Sequence, residues 1–121
     1  MKVIRISKVP RQSAASPLFT GRRVSRQPLV SDDISKYFNL GVVNFGKGIR
    51  NKFHTHTSDQ VLIVTAGKGI VATAGEERKV TLGDVIHIPA GEKHWHGATK
   101  DSAFSHFTLT AVGSKTTQLE D

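Results

Sequence analysis

Residues 82–98 read LGDVIHIPAGEKHWHGA. Leu82-Gly83-Asp84 reads as a tight turn in which glycine permits a positive φ, and Pro89-Ala90-Gly91 reverses the chain again. Only Val85 to Ile88 lies between the two turns, which is strand length rather than helix length. His94 and His96 follow two residues apart. Side chains alternate along an extended chain, so these two imidazoles project from one face.

The same rhythm extends upstream and downstream. From Leu40 onward, short apolar or alternating runs are broken about every ten residues, at Gly46 to Gly48, Gly67 to Gly69 and Gly75 to Glu77. Between the breaks lie Val61 to Thr65, Ile70 to Thr73 and Ala103 to Ala111, rich in valine, isoleucine, threonine and phenylalanine. No ten-residue segment carries a helical apolar stripe, so the chain reads as all-β, with its core between strands in a sandwich or small barrel. Gly67-Lys68-Gly69 fits a hairpin turn and not a phosphate loop, since no helix follows it. Upstream, residues 10–21 read as a loop after a short first strand, and residues 31–36 as one helical turn at most.

A chain of 121 residues is expected to form one domain. It has no cysteine, which excludes disulfides, thiolate metal sites and cysteine nucleophiles, so any metal must be held by nitrogen and oxygen. The longest apolar run is Val61 to Val64, and Val3, Ile4 and Ile6 are interrupted by Arg5. Neither a spanning helix nor a secretion signal is read, so no membrane association and a cytoplasmic location are expected. Lys2, Arg5, Lys8, Arg11, Arg22, Arg23 and Arg26 all precede the first acidic residue, Asp32, and account for the net charge of +7. Such a segment can attract a polyanion, but it reads more simply as solvated edge charge. With only Phe19 among those cations, no base-stacking platform is present and nucleic acid is not an expected partner.

Six histidines stand at positions 54, 56, 87, 94, 96 and 106. His54 and His56 repeat the spacing of His94 and His96, and two imidazoles on one strand face can grip one ion. A site without thiolates needs three or four such donors from different strands.

Gly48, His54, His56, Gln60 and Gly67 form one spaced run, and Gly83, Pro89, Gly91 and His94 form a second. The two runs resemble the paired motifs of the cupin superfamily, over roughly residues 40–111. The resemblance implies a single-domain jelly-roll β-barrel. It divides the chain into N-terminal strands and loop over 1–36 that pack on the barrel or on a partner subunit, a barrel over 37–113 and a C-terminal tail over 114–121. It also implies one divalent metal ion held by His54, His56, Gln60 and His94. Zinc, nickel, iron, manganese and cobalt all suit such donors. The superfamily usually has glutamate where Gln60 stands and asparagine where Ala98 stands. An amide offers an oxygen without a negative charge, so the ion keeps its full charge as a Lewis acid, and the site lacks the two-histidine, one-carboxylate set of many non-haem iron oxygenases. Lyase, isomerase or decarboxylase chemistry on a small acidic or carbonyl-containing substrate is therefore favoured over oxygen chemistry. The run His94 to Ala98, with Gln60 and His106, is similar to stand-alone cupins found beside carboxymuconolactone decarboxylases. Small barrels of this kind commonly pair, so a homodimer is implied. The same pocket could instead serve a non-catalytic binding or sensing module.

His106 and His96 are candidates for moving a proton near the metal, if their strand faces point inward. Strict alternation places Lys52 with His54 and His56, where it would hold a substrate carboxylate at the cavity mouth. A bulge near Gly48 would present Asn51 instead. His87 has no motif support.

Overall fold

A computed structural model describes all 121 residues, and ten strands with one short 3₁₀ turn account for its regular structure. They are β1 (Gln12–Ser13), β2 (Val24–Val30), β3 (Phe38–Phe45), β4 (His54–His56), β5 (Gln60–Thr73), β6 (Glu77–Thr81), β7 (Val85–Ile88), β8 (His94–Ala98), β9 (Phe104–Ala111) and β10 (Thr116–Gln118). All pair antiparallel in one curled sheet, ordered β1-β2-β3-β9-β5-β8-β4-β10, with β6 and β7 also on β5. The expected single-domain, all-β barrel is what the chain forms.

Alternation sets the inner face. On β5, Gln60, Leu62 and Val64 are buried while Ile63 is exposed, and on β9 Phe104 and His106 are buried. Register carries this face across the sheet, since Phe45 pairs with Phe104, Val43 with His106, and Val24 and Arg26 with Phe45 and Val43. Phe19, Val24, Val43, Phe45, Val64, Val80, Ala98 and Phe104 form the core. Phe45 and Phe104 stack at 6.0 Å between centroids, a spacing typical of favourable aromatic pairs.

The turns at Gly83 and Gly91 have φ of 92° and 80°, as the sequence predicts. Residues 31–35 form one turn, with Ile34 and Ser35 donating to the Ser31 carbonyl. Two expectations are corrected. No strand precedes residue 10; Ile6–Lys8 is a 3₁₀ turn, tied down because Gln27 Nε2 donates to the Ile6 and Val9 carbonyls. Gly67 to Gly69 is not a hairpin turn, because β5 continues through it. Its first part pairs with β7 and β9, its last part with β6 and β8, and a register shift between Val64 and Ala66 bends it. Gly67 has φ of 74°, and a Cβ there would lie 1.8 Å from the Ala103 carbonyl oxygen, so only glycine lets the bent strand stay this close to β9. The last residues, read as a tail, instead supply β10, which pairs with β4.

Candidate metal centre

The site is assembled from three strands. β4 presents His54 and His56, β8 sets His94 directly opposite His54, and β5 begins with Gln60. His54, Gln60 and His94 are buried, and His56 is half-buried. One ring nitrogen from each of His54, His56 and His94 lies within 4.8 Å of the others. Ring centroids are 4.3 Å apart for His54 and His94, and 4.9 Å for His54 and His56.

The hydrogen bonds fix which nitrogen each ring turns inward. His54 Nδ1 donates to the Lys52 carbonyl at 2.6 Å and His94 Nδ1 to the Glu92 carbonyl at 2.8 Å. A carbonyl can only accept, so both Nδ1 atoms carry the proton and both Nε2 atoms keep a lone pair. His56 Nδ1 lies 2.9 Å from Thr116 Oγ1, while its Nε2 is buried without any partner. Gln60 Nε2 donates to Thr108 Oγ1 at 2.8 Å, which turns Oε1 toward His94 Nε2 at 3.1 Å. Two acceptors then face each other, an arrangement that a cation between them relieves. An orphaned buried nitrogen and two opposed acceptors fit a divalent ion held by His54, His56 and His94, with Gln60 Oε1 as a fourth donor.

Electrostatics agree. Burial lowers His54 to about 4, against the raising effect of its bond to the Lys52 carbonyl. His56 is lowered to about 4 by burial and then by the neighbouring His94, with a smaller contribution from the Arg26 charge. Burial also lowers His94. Neutral rings are the metal-binding form.

His96 and His106 face inward but form a closed chain of bonds. Asn51 Oδ1 accepts from the His96 backbone N–H at 2.8 Å, so Nδ2 of the same amide is the group 3.1 Å from His96 Nε2. Nε2 therefore accepts, and Nδ1 carries the proton and donates to His106 Nε2 at 3.0 Å. His106 Nδ1 in turn donates to the Phe107 carbonyl at 3.0 Å. Every ring nitrogen of the pair is occupied, and burial lowers both rings. His96 reaches the cavity wall while His106 does not line it. A proton moved by either ring would pass along these bonds.

Lys52 does not line the cavity and Asn51 does. Arg50 pairs with Gly97 and His54 with His94, so one extra residue lies between Asn51 and His54. This bulge reverses the parity that strict alternation assumed. His87 pairs with Asp59 at an exposed position. The cavity measures about 300 Å³ and also takes in Phe19, Arg26, Val43, Thr108 and Thr116. Thr108 and Thr116 were not anticipated, because their partners lie 48 and 60 residues away. Arg26, one of the N-terminal cations, enters the cavity because it alternates with buried Val24 along β2.

A single-domain β-barrel with a histidine cluster on its inner face is the architecture of the cupins, and residues 41–110 match the cupin domain. The chain belongs to the cupin family. It is 34% identical over 110 residues to a protein of Granulicella tundricola named (R)-mandelonitrile lyase, an overlap covering 90% of this chain and 83% of that protein. A cupin-like protein of Thermotoga maritima has a TM-score of 0.86 and 31% identity, over 94% of this chain and 89% of that one. The polyketide cyclase RemF of Streptomyces resistomycificus has a TM-score of 0.87 at 17% identity, over 98% of this chain and 85% of that one, and shares the fold.

Proposed function

We propose that this cupin is a metal-dependent lyase that breaks or forms a bond at the carbon bearing a hydroxyl or carbonyl oxygen of a small substrate. The observation that carries the reading is the donor set: three neutral imidazoles and one amide oxygen, with no carboxylate among them. An ion held by these residues would polarise a substrate oxygen as a Lewis acid, with its charge undiminished by its ligands. His54 and His94 hold their Nδ1 protons on the outer side, His56 Nδ1 meets Thr116 Oγ1, and Gln60 Nε2 meets Thr108 Oγ1. Leu18, Phe19, Leu40 and Val43 form an apolar wall for the body of the substrate.

Proton balance selects the reaction to try first. Cleavage of an α-hydroxynitrile into an aldehyde and hydrogen cyanide needs no stored proton, since the one lost from the hydroxyl oxygen leaves with cyanide. The similarity to a mandelonitrile lyase points the same way.

The test is metal content of the purified protein together with benzaldehyde release from mandelonitrile. Stoichiometric metal and turnover are expected, with His54→Ala losing the metal and at least about a hundredfold in rate. Turnover surviving in His54→Ala, or a protein that binds metal but turns over no α-hydroxynitrile or related hydroxy or oxo compound, would overturn the lyase reading. The latter result would make the chain a binding module.

A further inference from the structure

Arg26 stands apart from the other N-terminal cations. It lies on the inner face of β2, opposite Val43, which itself pairs with His106 on the inner face of β9. Its guanidinium carbon sits 5.9 Å from the Phe19 ring centre, and both residues line the metal cavity. Neither ion pair in the chain involves it, since Arg50 takes Glu120 and His87 takes Asp59. It is the sole lysine or arginine among the residues lining that cavity, and no aspartate or glutamate lines it. A planar fork of N–H donors with no protein acceptor, resting on an aromatic ring beside a cavity free of acidic groups, is suited to a carboxylate.

We propose that Arg26 is a specificity-determining residue that binds a carboxylate of the substrate, so that the substrate is a small hydroxy or oxo acid or an acidic hydroxynitrile. This deepens the lyase reading and rests on it for the identity of the reacting end. Roughly ten non-hydrogen atoms fit in a cavity of about 300 Å³. The acid group is held at Arg26, and the reacting oxygen faces His54, His56 and His94.

Binding of benzoate and of its neutral counterpart benzamide to the purified 121-residue protein, followed by NMR titration, tests the proposal without turnover. Benzoate is expected to bind roughly fivefold more tightly than benzamide. Arg26→Gln is expected to lose that preference with the fold intact by circular dichroism, because the residue is exposed, and Arg26→Lys is expected to keep part of it. His54→Ala is expected to retain the preference, which separates an anion read by Arg26 from one attracted by a metal. A wild type that binds both compounds equally would overturn the proposal, as would an Arg26→Gln protein that still prefers benzoate. Failure of the lyase reading is seen separately, in the turnover of His54→Ala, and leaves this preference in place.

Discussion

At the scale of single residues, Asn51 has the widest influence for its size. Its amide oxygen is committed to the His96 backbone, so its nitrogen dictates the tautomer of His96, and His96 dictates that of His106. Both rings are therefore expected to carry their proton on Nδ1. Nitrogen chemical shifts from long-range proton correlation should show this, and an Nε2-protonated His96 would contradict the assignment. Asn51→Asp replaces a donor with an acceptor and forces a proton onto His96 Nε2. The substitution is expected to change the imidazole signals of both histidines, and Asn51→Ala to cost roughly 2 kcal/mol by leaving buried groups unpaired. Gly97 shows the same economy, since a Cβ there would lie 2.4 Å from Cα of Arg50, the residue before Asn51.

At the scale of elements, β10 holds the metal-binding strand in place. It pairs with β4 over Thr116 to Gln118, Thr116 meets His56 Nδ1, and Glu120 accepts from the Phe53 N–H at 2.8 Å. Partners that orient a ligating ring typically contribute ten- to a hundredfold in metal affinity. Thr116→Val is expected to weaken metal binding, and deletion of residues 116–121 to weaken it by at least about tenfold. Competition with a chromogenic chelator measures both, and unchanged affinity in the deletion would show that β10 has no such part. This is also where reading the sequence reached its limit. His54, His56 and His94 were legible because period-two spacing and the turns at Gly83 and Gly91 are local. The contacts of Thr116, Thr108 and Asn51 were not, because they depend on pairing between distant segments or on one inserted residue. Gly67 misled for a related reason: a positive φ bends a strand that stays paired as readily as it ends one.

At the scale of the whole molecule, five buried or half-buried histidines share one interior, and burial is the first cause of the lowered value of each. In the unfolded, metal-free chain each takes up a proton near its usual value of 6.5, whereas in the folded chain His54, His56 and His106 do so only near 4. Between those values the unfolded state binds more protons, so stability rises with pH. The contribution is complete above about 6.5 and is lost as pH falls toward 4, with fully buried His106 alone accounting for roughly 3 kcal/mol. Urea unfolding of the chelator-treated protein is expected to give a lower midpoint at pH 5 than at pH 7.5. An equal or higher midpoint at pH 5 would refute the coupling.

β5 crosses from one half of the curled sheet to the other as a single unbroken strand, bonded on both edges at each end. Ala66 and Gly67, just past the register shift, pair with β9 alone, so the two halves are joined there by one continuous backbone. Because both halves share this strand, unfolding is expected to be all-or-none, with urea transitions followed by circular dichroism and by Trp95 fluorescence coinciding.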